Sequence, residues 1–257
     1  MNRALAIVGS VLRLVVSWTF LGLVTFCFVP VFLVLLPSRS RRICAFNVYS
    51  HLTGRVMVWF AGATLPAGIP ARMNALHPAI YVSNHTSYLD IFLGIWAAPL
   101  GTIGTAKKET VYVPFFGQLY AISGNVLVDR DDRRAAVAAL RTIVGLMQSH
   151  GFGVLIWPEG TRSVDGRLQP FKRGFAHVAL ATRLPVVPIV VSGAHRCWPK
   201  GAALTFPARV DVRILDPIPT TDWTAARLDE HVADVWSRFA ATLPDEQKPL
   251  PSFPPTP

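Results

Sequence analysis

Cysteine is nearly absent: Cys27, Cys44 and Cys197 are the only three in 257 residues, and they stand far apart. That excludes a disulfide framework and a cysteine-ligated zinc site, and it fits a reducing compartment. Charge is scarce too. Only 16% of residues are charged, against about 25% in a typical soluble domain, while 51% are hydrophobic and mean hydropathy is +0.39. Part of such a chain meets lipid. Acid is the scarcer sign, with 15 Asp and Glu against 25 Lys and Arg, a net charge of +10 and a pI near 10.2. This balance suits an anionic bilayer surface, a phosphate-bearing substrate or nucleic acid. No basic helix or aromatic-basic surface motif is present, which ranks nucleic acid last. There is no internal repeat, and no G-x-S-x-G elbow to carry a serine nucleophile.

The length suffices for one sizeable core with a small appendage. Leu14 to Leu36 runs without a charge and leads into Arg39, Arg41 and Arg42. This stretch is long enough to span a bilayer, and the basic cluster favours the cytoplasm for the chain after it. It reads as an anchor rather than a cleaved leader. A second apolar stretch, Ile43 to Ala63, contains Asn47, His51 and Arg55, and suits an interfacial position or a return beside the first helix.

From about Leu76 short apolar strands alternate with helices, the pattern of an α/β domain. The strands expected are Ala79 to Ser83, Thr102 to Ala106, Val126 to Asp129, Phe152 to Trp157, Val186 to Ser192 and Arg209 to Leu215. Helices are expected over Asp131 to His150 and Asp222 to Leu243. The chain therefore divides into residues 1–63 as membrane-anchoring helices, 64–243 as one α/β domain with a mixed sheet flanked by helices, and 244–257 as a proline-rich disordered tail.

Chemistry concentrates where strands end. In Asn84-His85-Thr86-Ser87-Tyr88-Leu89-Asp90 a histidine leaves a buried strand and an aspartate lies within reach across the start of a helix. A histidine held by a carboxylate can take a hydroxyl proton near neutral pH. Gly124 to Arg130 ends a strand on an arginine, and Trp157-Pro158-Glu159-Gly160-Thr161-Arg162 ends another on a glutamate, a glycine and a second arginine. Arginine's planar fork suits a phosphate. The alternative is that Arg130 and Arg162 merely pair with Asp129, Asp131 or Asp165 at the surface. Leu184 to Val190 is a strand with two prolines, suited to an edge or a site wall. No second His or Cys cluster accompanies His85, so no metal is expected.

In these blocks the chain resembles the glycerolipid acyltransferases of the lysophosphatidate acyltransferase type. Asn84 to Asp90 matches their N-H-x-x-x-x-D block, Gly124 to Arg130 their G-x-I-x-x-x-R block, Trp157 to Arg162 their F-P-E-G-T-R block, and Val187-Pro188-Ile189 their proline-bearing block, all in family order. Trp157 departs from the usual phenylalanine, an exchange expected to alter packing or acyl access more than chemistry. The resemblance implies acyl transfer from a thioester of coenzyme A or acyl carrier protein to a lysophospholipid hydroxyl, at the cytoplasmic side of an inner membrane, with no cofactor. His85 would be the general base and Asp90 its partner. Arg130, Glu159, Gly160, Thr161 and Arg162, with Lys107, would bind the acceptor's phosphate and glycerol. Two alternatives stay open: an acceptor other than lysophosphatidate (lyso-ornithine lipid, another lysophospholipid or glycerol 3-phosphate), or a non-catalytic protein that binds anionic lipid.

Overall fold

The computed structural model describes residues 3–68 and 71–250. In chain order the elements are α1 (Arg3–Val34), α2 (Arg39–Phe60), β1 (Ala63–Thr64), β2 (Ile80–Ser83), α3 (Leu89–Ala97), β3 (Thr102–Lys107), α4 (Phe116–Ile122), β4 (Val126–Val128), α5 (Arg133–His150), β5 (Gly153–Ile156), α6 (Gly174–Thr182), β6 (Val186–Ser192), α7 (Ala194–Cys197), β7 (Ala208–Arg209), β8 (Asp211–Ile214) and α8 (Leu228–Thr242). Six strands form one sheet in the order β4-β3-β5-β2-β6-β8, parallel except for β8, and β1 pairs with β7 in a separate parallel ribbon. The sheet is mixed and helix-covered.

Alternation in β2 shows how the layers arise, since successive side chains leave a strand on opposite faces. Ile80 and Val82 pack with α5, α6 and α8, through Ile143, Phe175 and Phe239 among others. Tyr81 packs on the other face with α3, through Leu89 and Leu93. β2 lies between β5 and β6, so its carboxyl end opens at the middle of the sheet. α5 forms where expected because Asp132 accepts from the Arg134 and Ala135 amides at its start, while Gly151 ends it at φ 65°.

Several boundaries move. The strand expected over Arg209 to Leu215 is two short strands in different sheets, β7 and β8. The last helix starts later than Asp222, because Trp223 stacks on His231 at 4.6 Å and Arg183 binds the carbonyls of Thr220, Thr221 and Trp223. Pro188 is not on an edge: β6 is internal. The Val186 amide donates outward to Ile218, so alternation turns the missing Pro188 N–H to that same side, where β8 has already ended at Ile214. The ladder to β2 therefore keeps its bonds.

α1 is the one described helix long and apolar enough to cross a membrane. It begins well before the charge-free stretch, since Arg13 continues the helix and sends its guanidinium to the Thr205 carbonyl at 3.5 Å. α2 folds back against α1 and α3. Its polar residues are used inward: Asn47 Oδ1 accepts from Gly101 N at 2.8 Å and Thr102 N at 3.1 Å, and His51 Nε2 meets Ala98 O at 2.6 Å.

The tail expected to be disordered from Pro244 is ordered as far as Leu250, and the rest of it lies outside the described residues. Gln247 is fully buried. Its Oε1 accepts from Gly193 N at 2.8 Å, its Nε2 donates to Gly166 O at 3.1 Å, and its own carbonyl accepts from Leu168 N at 2.9 Å. One polar side chain thus outweighs the prolines around it. Gln247→Ala strands one buried and one half-buried backbone group and is expected to lower stability by about 1–3 kcal/mol, read as a lower urea midpoint at unchanged slope.

Candidate active site

β2 ends at Ser83, and the turn after it is locked before His85 is reached. Asn84, fully buried, bonds the backbone of Val191 in β6 at both ends of its amide: Nδ2 donates to the carbonyl and Oδ1 accepts from the N–H, each at 2.8 Å. Ser87 Oγ donates to Trp198 O at 2.7 Å and accepts from Leu89 N at 2.9 Å, which starts α3. The first turn of α3 carries Asp90 back over the loop. Its Oδ2 accepts from Thr86 N at 2.5 Å, Ser87 N at 2.7 Å and His85 Nδ1 at 3.2 Å.

A carboxylate that accepts at Nδ1 requires the proton there, so the Nε2 lone pair is free. Both side chains are buried. Burial holds the His85 pKa below its ordinary 6.5; Asp90 works against that shift, and the positive charges of Arg162 and Arg130 add to it. The imidazole is neutral at pH 7 and ready to accept a proton.

His85 lines a cavity of about 180 Å3. Arg130, Arg162, Thr161 and Lys107 line it, and so do Phe46, Ile91, Ile95, Phe116 and Leu155 from α2, α3, α4 and β5. Arg130 donates to the Gly160 carbonyl, and the Arg162 guanidinium lies 3.9 Å from the centre of the Tyr88 ring. The surface ion pairs that would have absorbed these arginines are made otherwise: Asp129 takes Lys108, Asp131 faces Lys107, and Asp165 accepts from Ser163 and the Arg167 amide. Both guanidiniums remain available to an anion. Lys107 is half exposed and shared with Glu109 at 3.3 Å. Gly160 has φ 71°, and a side chain there would come within 2.9 Å of the Lys172 stem. Thr161 Oγ1 accepts from Lys200 Nζ at 3.4 Å.

Glu159 requires a correction. Expected to touch the acceptor, it is buried behind the site, with Oε1 accepting from His85 N at 2.8 Å and Oε2 from Gln169 N at 3.3 Å. Burial pushes its carboxyl well above the glutamate range, the two amides pull it back, and the Asp90 charge adds to the rise. It fixes the His85 backbone and closes the 159–169 loop that carries Arg162. Three residues not expected from sequence also act here: Tyr88 beneath Arg162, Lys200 donating to the Arg162 carbonyl at 2.9 Å, and Asn84. Asn84 and Tyr88 lie inside the first block, where their spacing from His85 is visible. Nothing in sequence marks Lys200. Among the described residues no group of three His, Cys, Asp or Glu is placed to hold a metal.

Residues 68–192 match the model of the Acyltransferase family. A 1-acyl-sn-glycerol-3-phosphate acyltransferase of Cocos nucifera is 38% identical over 251 residues, 98% of this chain and 81% of that protein. One of Limnanthes alba is 39% identical over 222 residues, 86% of this chain and 78% of that protein, and one of Escherichia coli is 32% identical over 156 residues, 61% and 62%. The crystal structure of a 1-acyl-sn-glycerophosphate acyltransferase of Thermotoga maritima superposes with a TM-score of 0.60 at 24% identity, covering 88% of this chain and 95% of that one, and shares its fold. The fold is that of an α/β acyltransferase. The chain belongs to the family of 1-acyl-sn-glycerol-3-phosphate acyltransferases.

Proposed function

We propose that this chain transfers a fatty acyl group from a thioester of coenzyme A or acyl carrier protein to the free hydroxyl of lysophosphatidate, giving phosphatidate. The observation that carries the reading is the buried His85–Asp90 pair opening on a cavity lined both by apolar side chains and by two arginines without a carboxylate partner among the described residues. His85 Nε2 takes the hydroxyl proton, and Asp90 stabilises the resulting imidazolium. The alkoxide oxygen attacks the thioester carbonyl carbon, the C–S bond breaks on collapse, and the departing thiolate receives the proton from His85. Arg130 and Arg162 hold the acceptor's phosphate, with Lys107 and Thr161 beside them, while the apolar side chains of the lining take the donor's acyl chain. The step needs no metal or organic cofactor beyond the thioester co-substrate.

The acceptor is reached from the lipid surface. α1 packs along the domain from Ser10, which accepts from Thr205 N at 3.0 Å, through Leu21 and Thr25 to the buried Phe32. That contact runs for about 33 Å of helix, more than a bilayer core is thick. Leu5, Val8, Leu12, Leu23 and Phe26 face outward and exposed. A helix with one side committed to the domain along its length lies in the plane of a leaflet, with the basic surface against anionic head groups. The site then works at the cytoplasmic face.

An acceptor comparison tests the phosphate assignment. Arg162→Ala is expected to lower kcat/KM for lysophosphatidate by on the order of 10- to 100-fold, the worth of charge-assisted hydrogen bonds. It should leave the slower transfer to monoacylglycerol, which has no phosphate, nearly unchanged. Equal losses with both acceptors would remove Arg162 from phosphate recognition.

A further inference from the structure

Between β3 and α4 the chain makes a turn that carries apolar side chains outward. Tyr112 is 80% exposed and Phe115 46%, with Val113 between them exposed as well. The backbone beneath them is braced. Val113 N donates to Thr110 O at 3.0 Å, Gly117 N to Val113 O at 2.8 Å and Gln118 Nε2 to Val111 O at 2.9 Å. Gly117 permits this packing, since a Cβ there would strike the Thr110 and Val111 carbonyl oxygens. At the tip Phe115 stands at φ 62° and ψ −58°, and Phe116 N donates to Pro114 O at 2.7 Å. This is a γ-turn of the rarer hand, strained for a residue with a side chain.

Water gives no reason to hold such side chains out on a strained, braced turn. The direction of the Phe115 ring does. It lies against Gly22 of α1, where a Cβ would come within 3.2 Å of Phe115 Cζ. Phe26, about one helical turn on from Gly22, is 80% exposed, and Leu23 is exposed too. Phe115 therefore joins the turn to the outward side of α1, and the exposed residues belong to one apolar surface instead of standing singly. Cations stand next to α4 as well: Arg39, at the basic start of α2, donates from Nε to Gly124 O at 2.8 Å just beyond that helix. Apolar side chains beside a basic cluster suit an anionic bilayer surface.

We propose that the 112–115 turn inserts into the leaflet that holds α1, as a second point of membrane contact. The inference rests on the placement of α1 proposed above and adds to it a part of the catalytic domain. Thr110 and Phe116, on either side of the turn, both line the His85 cavity. Insertion sets that side of the cavity against lipid, where the acceptor is dissolved. Tyr112 suits the position, because its ring is apolar while its hydroxyl can meet the head groups. Lipid is favoured over a protein partner because the turn continues the outward side of a helix that itself lies in the leaflet.

The test is Tyr112→Gln, which removes apolar surface without adding charge, mixed with vesicles of phosphatidylethanolamine and phosphatidylglycerol. The expected result is a fall of about 10-fold in vesicle partition. Transfer between the water-soluble pair hexanoyl-coenzyme A and hexanoyl-lysophosphatidate should be unchanged, because Tyr112 does not line the cavity. An unchanged partition overturns the proposal, and so does an equal loss with the soluble pair. Should the variant fold poorly, depth gives an independent reading. A nitroxide label on Cys27, which is exposed on α1, reports the helix, and one in Tyr112→Cys with Cys27→Ser reports the turn, with Cys44→Ser in both chains. Each label should respond more to oxygen than to a water-soluble nickel chelate. A label at 112 that stays in water while the one on Cys27 enters lipid overturns the insertion. One shielded from both reagents would reveal a protein partner or a second copy and overturn it too. Labels in water at both positions would instead refute the placement of α1 itself, and the proposal with it.

Discussion

Replacing His85 by alanine is expected to slow acyl transfer by on the order of 10³-fold while the protein stays folded. The fold can spare the ring: Asp90 Oδ2 retains the Thr86 and Ser87 amides, so no carboxylate oxygen loses all its partners. The chemistry cannot, because among the described residues no other imidazole lines the cavity. The same residue sets the pH dependence. With its pKa held below 6.5 by burial, kcat/KM should rise with pH through an apparent value below 6.5 and level off above it. Stability has the same sign. The folded state favours the neutral ring, so the His85 contribution is complete above 6.5 and is lost as pH falls through the folded value. Circular dichroism and phosphatidate formation, measured on one preparation, check both parts. A His85→Ala protein retaining a tenth or more of wild-type rate would remove His85 as the base.

Asp90→Asn is expected to cost on the order of 10²- to 10³-fold in kcat. An asparagine oxygen in place of Oδ2 can still accept the two amides and the imidazole, so the turn survives. What it lacks is the charge that favours the imidazolium, and Asp90 is the group that holds the His85 pKa up against burial. The acid limb of the pH profile should therefore move to lower pH as the plateau drops, since a weaker base is a slower one. The amide NH2 would occupy the place of Oδ1, which has no donor to it in the wild-type protein, and would leave further polar hydrogens unpaired. A modest loss of stability is the expected result. An unmoved acid limb would show that Asp90 does no more than hold the turn.

The centre of this site is legible in the sequence because its parts are local or come directly after strand ends. His85 and Asp90 are joined by one turn and the start of one helix, and Arg130, Gly160 and Arg162 each come after an apolar strand that any parallel sheet would align. Glu159 is misplaced by sequence because its neighbours are remote: whether a carboxylate after a strand faces the cavity or the His85 amide depends on the register of β2 against β5. Gln247 is hidden for a similar reason. Proline content argues for disorder, but one glutamine that satisfies Gly193 and Gly166 decides otherwise. Pro188 suggests an edge, and only the early end of β8 makes an internal position tolerable. The apolar stretch of α1 is visible in the sequence as a long apolar helix, whereas the side it turns to the domain depends on contacts with residues as distant as Thr205. Long-range pairing, rather than composition, decides each of these.

The most direct test is to supply detergent-solubilised protein with oleoyl-coenzyme A and record free thiol and phosphatidate together, first without and then with lysophosphatidate, lyso-ornithine lipid or glycerol 3-phosphate. Direct attack by the acceptor predicts no thiol before an acceptor is added, then thiol and phosphatidate in equal amounts with lysophosphatidate. Thiol released before any acceptor is added would contradict direct attack by the acceptor hydroxyl. Product formed from another acceptor and not from lysophosphatidate would contradict the substrate.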